Sequence, residues 1–482
     1  MRITKNFIAG HWVEGDGYIE NLNPSDTSDI IGYYAQASLA QAREAVSAAR
    51  QAQKVWAMTG IEARASVLDA IGEELMSRRE EIGRLLSREE GKPLQEGIGE
   101  VYRAGQFFKY YAGECLRNFG DIAESVRAGV QVEITREPLG VVGVISPWNF
   151  PVATAAWKIA PALAFGNAVL WKPANLTPAT GHALAEIISR QAIPPGLFSF
   201  LMGSGTIIGQ FLASEAQLDG LSFTGSCEVG AQIALVAAPH FIKLQMEMGS
   251  KNPLVVMDDA ALDHAVTLAI QGAFGGTGQK CTASSRLIVH ASIHDAFVEQ
   301  LISRTKSLKV GHALEPKTEI GPVVSREQLL QNMDYIELAR REGGEIACGG
   351  APLEAPVTGY YMSPAVILNT SARMRVNQEE MFAPITCVLK ADDFEHALAL
   401  ANDTRFGLTA GIVTRSLARA MAFKRASRSG CVMINLPTAG TDYHVPFGGI
   451  RGSSYGPREQ GHNAVEFYTQ IKTTYLHAGQ PE

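Results

Sequence analysis

The apolar positions near the start of the chain recur with the period of an α-helix. Residues 38–56 begin with Ser38, a residue type that caps helix N-termini, and place their apolar side chains on one face. Residues 61–90 carry a second apolar stripe, which stops at the Gly-Lys-Pro sequence of residues 91–93. The pattern predicts two amphipathic helices, the second as one continuous element.

From about residue 140 onward, short apolar runs alternate with helical segments. The apolar runs cover 141–146, 168–171 and 218–223, and helical patterns follow at 180–193 and from about residue 226. Buried strands that alternate with helices are typical of a parallel sheet covered on both faces. Because ligands of such sheets bind beyond the carboxyl ends of the strands, the residues at those ends are the first candidates for function.

The second half of the chain repeats this alternation with a second set of strands. A further α/β domain is predicted from the apolar runs at 253–257, 286–289, 365–368, 385–389, 411–413 and 431–435. Residues 131–136 alternate as a half-exposed strand does, and 467–475 alternate less cleanly. Neither segment has a neighbouring strand in sequence, so we expect the two to form a small sheet that contacts another subunit.

Composition and charge narrow the class of protein. The 482 residues are 46% hydrophobic and 19% charged, which indicates a globular chain of about three domains. The net charge of −7 gives no basic surface for nucleic acid or for an anionic membrane. No stretch offers about 20 uninterrupted apolar residues to a bilayer, and the first residues lack the apolar core of a signal peptide.

Cysteines and histidines give little sign of a disulfide scaffold or a metal site. The six cysteines lie far apart without a C-x-x-C pair, so we expect a reducing compartment, the cytoplasm. His290 and His294 are four residues apart but straddle a predicted junction of strand and helix. No metal site is therefore predicted.

Three residues could carry covalent or acid–base chemistry. Cys281 follows a run of small residues and adjoins Lys280, a setting that suits a nucleophile, although most intracellular cysteines only fill space. Glu247 lies between two methionines, where an apolar environment could raise its pKa and make it a general base; a salt-bridged glutamate is the alternative. Asn149 follows a predicted strand end, where its amide could donate to an oxyanion or simply serve a turn.

Two glycine-containing segments are candidates for nucleotide binding. Gly203, Gly205 and Gly209 resemble a dinucleotide fingerprint with one residue too many before the last glycine. Gly225 and Ser226 lie between a predicted strand and a predicted helix. The N-terminal amides of that helix could hold a pyrophosphate.

Taken together, these segments resemble one known family. The order and spacing of the following motifs, over almost the full chain, are similar to those of the NAD(P)-dependent aldehyde dehydrogenase superfamily: Trp148-Asn149-Phe150-Pro151, Lys172-Pro173, Gly225-Ser226, Glu247, Gly278-Gln279-Lys280-Cys281, 379–384 (Glu-Glu-Met-Phe-Ala-Pro) and Pro446-Phe447-Gly448-Gly449. The resemblance implies an α/β fold with a Rossmann-type cofactor domain (1–122 and 142–248), an α/β catalytic domain (249–460) and a small β oligomerisation element (123–141 and 461–482). It also implies a homodimer or homotetramer.

The resemblance gives a role to each candidate residue. It implies that Cys281 attacks an aldehyde substrate, that Asn149 and the Cys281 amide stabilise the oxyanion, and that Glu247 activates the water that hydrolyses the resulting thioester. The implied cofactor is NAD or NADP, held by Trp148, Lys172, Asn175, Gly205, Gly209, Phe223, Gly225, Ser226, Glu380 and Phe382. The implied substrate channel is lined by Phe150, Trp157 and Phe447.

Departures from the family pattern concern the cofactor and the substrate. Asn175 stands where relatives often carry a glutamate that repels the 2′-phosphate of NADP, so both nucleotides stay open. Gly275 and Trp157 stand where semialdehyde relatives carry arginines, so no carboxylate clamp is evident. The segments 435–444 and 452–461 nevertheless resemble those of bacterial α-ketoglutaric semialdehyde dehydrogenases.

Other functions stay open at this point. A broad-specificity dehydrogenase for bulkier aliphatic or aromatic aldehydes is favoured by small residues at the channel mouth, such as Ala153 and Thr154. A cysteine hydrolase that uses no nucleotide would leave the ordered nucleotide-contact residues unexplained. A non-catalytic protein would have no chemical need for Cys281, Glu247 and Asn149 together.

Overall fold

The computed structural model describes residues 3–117, 120–354 and 357–479. Its helices within these ranges, numbered along the chain, are α1 (Leu39–Ala57), α2 (Ile61–Ser77), α3 (Arg79–Glu90), α4 (Leu94–Glu114), α5 (Ala153–Ala164), α6 (Pro178–Ser189), α7 (Gln210–Ser214), α8 (Cys227–Ala237), α9 (Leu262–Phe274), α10 (His294–Ser307), α11 (Arg326–Arg341), α12 (Arg375–Gln378), α13 (Phe394–Asn402), α14 (Leu417–Ala426) and α15 (Val465–Tyr468). Residues 480–482, at the end of the predicted oligomerisation element, lie outside the described residues.

The strands of the described residues form four sheets. They are β1 (Ile3–Thr4), β2 (Asn6–Ile8), β3 (His11–Val13), β4 (Gly17–Asn23), β5 (Asp26–Gln36), β6 (Asp121–Glu124), β7 (Val130–Pro138), β8 (Val141–Ile145), β9 (Ala168–Lys172), β10 (Phe198–Phe200), β11 (Gly220–Thr224), β12 (Lys243–Glu247), β13 (Asn252–Val256), β14 (Ser284–His290), β15 (Glu345–Cys348), β16 (Ala365–Leu368), β17 (Ile385–Ala391), β18 (Thr409–Val413), β19 (Cys431–Ile434), β20 (Ser454–Tyr455) and β21 (Thr469–His477). Strands β1, β5 and β4, all near the N-terminus, form a three-stranded sheet in that order.

The first large sheet has the strand order β20-β12-β11-β8-β9-β10-β2-β3. Its central strands, from β12 to β10, are parallel neighbours. They share one apolar core with helices α1, α2, α4 and α5. This confirms the predicted parallel sheet, and it brings the carboxyl ends of β8, β9, β11 and β12 to one edge, where the candidate residues begin.

The second large sheet has the order β15-β16-β17-β14-β13-β18-β19, and its strands other than β15 pair in parallel. All six predicted strands of the second half are present, within two residues of the predicted bounds. Apolar clusters cover both faces: Leu254 and Val256 of β13 face one, and Val255 and Met257 face the other. The α/β class predicted from the alternation is confirmed.

The two alternating segments pair with each other, as expected, in a small sheet of order β21-β7-β6. Strands β21 and β7 are antiparallel, with Thr473 opposite Ile134. The last strand begins at Thr469 instead of residue 467, because Phe467 and Tyr468 are buried in α15.

The beginning of the last strand is joined to the first large sheet. Lys243, the first residue of β12, donates to the carbonyl oxygen of Thr469 at 2.9 Å and to that of Glu466. The strand that starts at Lys243 ends four residues later at Glu247. The C-terminal strand is therefore bonded to the strand that carries the candidate base.

The prediction of one continuous helix at 61–90 was wrong. The chain divides into α2 and α3 at Arg78, where ion pairs to Glu74 (3.0 Å) and Glu81 (2.7 Å) hold the bend. The bend allows both helices to lie close to α4. A Cβ atom at Gly72 or Gly83 would come within 3 Å of the backbone of α4.

The predicted helix at 180–193 has different bounds, since α6 runs from Pro178 to Ser189. The carboxylate of Glu89, at the end of α3, accepts from the first backbone N–H groups of α6, including that of Thr180 at 2.9 Å. A distant residue therefore caps the helix. The local signal that was missed is Pro178 after Thr177, since proline is common at the first position of a helix.

Candidate active site

Cys281 lies on a tight loop between α9 and β14. Gly276, Thr277 and Gly278 have positive φ angles of 59°, 56° and 67°, which turn the chain sharply after the helix. A Cβ atom at Gly278 would lie 2.1 Å from the carbonyl oxygen of Ala383, so only glycine fits there. The Cys281 side chain that follows this turn is half-buried.

The backbone of the loop is held by Asn252, a residue that the sequence did not single out. Its side-chain amide donates to the carbonyl oxygens of Cys281 (2.7 Å) and Ala283 (3.0 Å). Its Oδ1 accepts from the Thr409 N–H at 3.1 Å, and so two neighbouring strands, β13 and β18, fix the loop. A strand asparagine in a distant segment carries no local signal of this role.

The protonated form of the Cys281 thiol is favoured in this environment. Burial raises the pKa of Cys281, and the Glu380 and Glu247 carboxylates raise it further. Because the thiolate is the nucleophilic form, a base must take the proton before the sulfur reacts.

Glu247 ends β12 and is 3% exposed. Burial raises its pKa to about 8, with a further contribution from the Glu459 carboxylate. Its Oε2 accepts a hydrogen bond of 2.5 Å from the Ser454 hydroxyl. A Cβ atom at Gly448 (φ 147°) would lie 2.5 Å from Oε1, so glycine leaves room for the carboxylate. A buried carboxyl with this pKa has the properties of a general base.

A buried ion pair adjoins this base. Lys158 of α5 and Glu459 are at most 1% exposed and are bonded to each other across 301 residues. Lys158 also donates to the Ser222 hydroxyl at 2.9 Å. Within the described residues, Oε2 of Glu459 has no hydrogen-bond partner. Sequence reasoning missed the pair; a lysine inside an otherwise apolar helix was the available signal.

Asn149 follows β8 and is 5% exposed. Its Nδ2 donates to the carbonyl oxygen of Gln279 at 2.9 Å, two residues before Cys281. Since a carboxamide has two N–H groups, the second can serve a developing oxyanion. The Asn149 carbonyl accepts from Lys92 at 2.5 Å, and the ring of Phe150 lies 4.1 Å from that same ammonium.

Lys172 is the last residue of β9, and Asn175 follows three residues later. Lys172 is 6% exposed, its Nζ donates to the Pro173 carbonyl at 2.9 Å, and burial lowers its pKa to about 8. Its stem lies 3.9 Å from the Cβ position of Gly209. The Oδ1 of Asn175 is buried and, among the described residues, has no partner. A sugar hydroxyl would satisfy this atom.

The candidate pyrophosphate site lies where β11 meets α8. Ser226 is the N-cap of α8, and Gly225 precedes it. A Cβ atom at Gly225 would lie 2.5 Å from the ring of Phe223, so the bare backbone is required. Gly205 lies earlier in the chain, where it begins a helical turn, and it has open space at its Cβ position. Free N–H groups of such a helix start suit an anion.

Glu380 lies beside the segment that follows Glu247. Its Oε1 accepts from the Ser250 N–H at 2.9 Å, and burial raises its pKa to about 7. The Phe382 and Trp148 rings meet edge to face, 5.4 Å apart at 81°. Glu380 also raises the pKa of Cys281, so its carboxylate lies near the candidate nucleophile. The unpaired Asn175 atom and the bare Gly225 backbone fit a dinucleotide.

Aromatic rings form a continuous wall that leads away from the base. Phe447 and Trp157 are 5.8 Å apart, Trp157 and Phe107 are 5.8 Å apart, and Phe107 and Tyr443 are 6.4 Å apart. A cavity of about 420 Å³ opens beside Tyr443. The indole N–H of Trp157 is buried and has no partner within the described residues.

The space beside Gly275 is filled by the ammonium group of Lys280. Its Nζ lies 3.1 Å from the Cβ position of Gly275 and donates to the Gln271 carbonyl at 3.4 Å. In the described part of the chain, no carboxylate lies within 4 Å of it, although Glu96 is near enough to oppose the lowering of its pKa by burial. The residue before the candidate nucleophile is therefore a cation, and its ammonium fills the space beside Gly275, where no carboxylate clamp was evident from the sequence.

Three further features of the described residues concern metal ions, the cysteines and membrane spans. Across residues 3–117, 120–354 and 357–479, no group of three histidine, cysteine or carboxylate side chains is arranged to hold a metal ion. The six cysteines are free thiols. No helix of the described chain has the length and apolar character needed to cross a membrane.

Comparison with known proteins identifies the family to which the chain belongs. The profile of the aldehyde dehydrogenase family matches residues 12–474. The α-ketoglutaric semialdehyde dehydrogenase of Bacillus subtilis strain 168 is 41% identical over 476 residues, which cover 98% of this chain and 97% of that protein. The α-ketoglutarate semialdehyde dehydrogenase of Haloferax volcanii is 37% identical, over 98% of each chain. The crystal structure of betaine aldehyde dehydrogenase from Staphylococcus aureus in complex with NAD+ has a TM-score of 0.97 at 32% identity, covering 99% of this chain and 96% of that one.

The chain belongs to the aldehyde dehydrogenase family. It is an enzyme that oxidises aldehydes with a nicotinamide dinucleotide, NAD or NADP. The family, the fold class and the activity that the motifs predicted are thus confirmed. The two alternative functions, a cysteine hydrolase and a non-catalytic protein, are therefore set aside.

Proposed function

We propose that the enzyme oxidises α-ketoglutaric semialdehyde to α-ketoglutarate. Two relatives, at 41% and 37% identity over nearly the whole chain, bear the name of this activity. The observation in the structure that supports it most is the Lys280 ammonium beside Gly275, because this substrate carries a carboxylate at the end opposite its aldehyde. The ammonium fills the space beside Gly275, the position where the resemblance places an arginine in semialdehyde relatives, so it can take the place of that cation in binding the carboxylate.

Cys281 is the proposed nucleophile. Glu247 takes its proton, the sulfur bonds to the aldehyde carbon, and the electron pair of the C=O bond moves to the oxygen. The Asn149 amide and the Cys281 backbone N–H donate to this oxyanion. A bound NAD(P)+ would supply the acceptor for the hydride on the same carbon. Once Glu247 has passed its first proton to solvent, it deprotonates the water that cleaves the thioester. This second proton goes to the leaving thiolate, which releases the acid and the thiol.

The nucleotide is proposed to lie along the edge of the first large sheet. Lys172 and Asn175 would bind the adenosine ribose, Gly225 and Ser226 the pyrophosphate, and Glu380 the nicotinamide ribose. The remaining residues of the site would line it: Trp148, Gly205, Gly209, Phe223 and Phe382. Asn175 carries no charge that would repel a 2′-phosphate, so both NAD and NADP fit the proposal.

The proposed mechanism is tested by Cys281→Ser. We expect the oxidation rate to fall by more than about 10³-fold, in line with the loss of a covalent nucleophile, while NAD(P)H still binds with a Kd changed by less than about threefold. Cys348→Ala, which alters a buried cysteine of β15, is the matched control and is expected to leave kcat unchanged. Steady-state turnover that persists in Cys281→Ser would contradict the mechanism.

The substrate is tested with a panel of aldehydes. We expect kcat/KM for α-ketoglutaric semialdehyde to exceed that for benzaldehyde and for pentanal by at least about tenfold, since a charge-assisted bond contributes about 1.5–3 kcal/mol. The aromatic wall from Phe447 to Tyr443 favours the second candidate, a broad-specificity enzyme for bulky aldehydes. A preference for benzaldehyde would select that candidate.

Assembly and location complete the proposal. We assign 123–141 and 461–482 to oligomerisation in a homodimer or homotetramer, with the cofactor domain at 1–122 and 142–248 and the catalytic domain at 249–460. The support is the small sheet β21-β7-β6, which exposes Ile122, Ile471 and Tyr475 by 76%, 61% and 61%. Six free thiols support a reducing compartment, and we propose the cytoplasm.

A further inference from the structure

A buried cluster of charges lies next to the turn that carries Asn149. Glu90, Lys92 and Glu100 are 1%, 3% and 5% exposed. The Nζ of Lys92 lies 2.7 Å from Oε2 of Glu100 and 3.9 Å from Oε2 of Glu90. Removing such charges from water costs several kcal/mol per ion, so a buried ion pair is weak evidence for stability alone. None of these residues belongs to the proposed machinery.

The pair of Lys92 and Glu100 holds a short segment of backbone at both ends. Lys92 donates to the Asn149 carbonyl at 2.5 Å. The other oxygen of Glu100, Oε1, accepts from the N–H groups of Val152 (3.0 Å) and Ala153 (3.2 Å) at the start of α5. One carboxylate and one ammonium, bonded to each other, thus fix the backbone on both sides of residues 150–151.

This segment determines where the Asn149 side chain lies. The Asn149 amide donates to the Gln279 carbonyl at 2.9 Å, which uses one of its two N–H groups. With the Asn149 carbonyl bonded to Lys92 and one amide hydrogen bonded to the nucleophile loop, the direction of the second hydrogen is set by the backbone. A donor that is aimed before the charge develops stabilises an oxyanion without reorganisation.

We propose that Lys92 and Glu100 are positioning residues that aim the Asn149 amide at the oxyanion. The inference rests on the proposed role of Asn149 in the reaction. Neither charged group touches the aldehyde in this scheme. Lys92 acts through the Asn149 carbonyl, and Glu100 acts by holding both Lys92 and the first turn of α5.

The test is a double-mutant cycle between Lys92 and Asn149. We expect Asn149→Ala to lower kcat/KM for the aldehyde by about 10²–10³-fold, the usual loss for one oxyanion donor. Lys92→Met is expected to lower it by about 10–100-fold alone, but by less than about threefold when Asn149 is already alanine, because coupled residues are not additive. The Kd of NAD(P)H and the rate of Cys281 alkylation by iodoacetamide are expected to stay within about twofold of wild type.

Two further variants keep the proposal falsifiable. Glu100→Gln keeps an oxygen acceptor for α5 but removes the charge that holds Lys92. We expect it to lower kcat/KM less than Lys92→Met does, and again to have little effect when Asn149 is already alanine. This variant replaces Lys92→Met in the test if Lys92→Met does not fold. Arg88→Met removes the half-buried ion pair of Arg88 with Asp29 and is expected to lower the Tm without changing kcat.

The outcomes separate this inference from the proposed function. Additive losses for Lys92→Met and Asn149→Ala would overturn the positioning role while leaving Asn149 as the donor. A full loss in Lys92→Met with no loss in Asn149→Ala would overturn both. If kcat/KM falls in proportion to the Tm in both Lys92→Met and Arg88→Met, the role of Lys92 is structural only.

Discussion

The hydroxyl of Ser454 donates a hydrogen bond of 2.5 Å to Oε2 of Glu247, and the two residues face each other in the antiparallel pair of β20 and β12. This bond lowers the pKa of Glu247 and partly offsets the rise due to burial, which leaves it at about 8. Ser454→Ala removes the donor, so we expect the pKa to rise further. Because the base acts deprotonated, the acidic limb of the kcat profile should then shift to higher pH, measured over roughly pH 6 to 10. Ser66→Ala, on the exposed side of α2, is the control.

The variant Glu247→Gln separates the two chemical stages of the proposed reaction, the oxidation that forms the thioester and the hydrolysis that cleaves it. We expect thioester hydrolysis to slow by about 10²–10⁴-fold, the usual contribution of a general base, while the first turnover still forms NAD(P)H at a lower rate because water must take the thiol proton in place of Glu247. Stopped-flow absorbance should show a burst followed by a slow steady state. A burst that is present in wild type and absent in the variant would mean that Glu247 is indispensable for forming the thiolate as well.

The variant Asn175→Glu changes the choice of nucleotide. The Oδ1 of Asn175 is buried without a partner in the described structure, so a carboxylate placed there would accept from a ribose hydroxyl and repel a 2′-phosphate. We expect the ratio of kcat/KM with NAD to that with NADP to rise by at least about tenfold. Asn175→Gln has nearly the same shape without the charge and should leave the ratio within about threefold.

The variant Lys280→Met tests the recognition of the substrate carboxylate. We expect the KM for α-ketoglutaric semialdehyde to rise about 10–100-fold, corresponding to the loss of a charge-assisted bond, with little change for pentanal. Lys280→Arg keeps the charge and should retain most of the affinity. An equal loss for both aldehydes would show that Lys280 acts on Cys281 instead of on the carboxylate.

The variant Ile471→Asp tests the oligomerisation element. Ile471 lies on β21 and is 61% exposed in the single chain, so a charge there should disrupt a contact between copies of the small sheet. We expect light scattering to report a smaller assembly. Leu417→Asp alters a 76% exposed leucine on α14 and should leave the assembly intact.

Much of the fold could be read from local patterns. Nine of the strands between β8 and β19 are short apolar runs with turn residues at their ends, which is why most predicted bounds fall within two residues. Strands β10, β12 and β15 were not predicted, because they are short or carry polar residues. Cys281, Glu247 and Asn149 were also accessible, because small residues, flanking methionines and a strand end are local features. Their joint identification depended on the resemblance of the motifs and not on any one of them.

The parts that could not be predicted depend on contacts between distant segments. Glu89 caps α6 from another helix, and the bend at Arg78 exists because α2 and α3 both pack on α4. Lys158 and Glu459 are separated by 301 residues, and Lys92 is separated from Asn149 by 57. The apolar residues around Lys158 in α5 were a local sign that this lysine is buried, but a charged residue in sequence does not indicate its partner, so neither pair could be predicted.

The bonds from Lys243 to the carbonyls of Glu466 and Thr469 have a consequence for the whole enzyme. Lys243 and Glu247 are the two ends of β12, about 13 Å apart at the usual rise of an extended strand. Trimming the chain before residue 466 would remove both acceptors of the Lys243 ammonium, and the strand would then be held at that end by its pairing with β11. The tail of the polypeptide therefore helps to hold the strand that ends at the candidate base, and we expect clipping there to slow the enzyme even though its reacting groups are all still present.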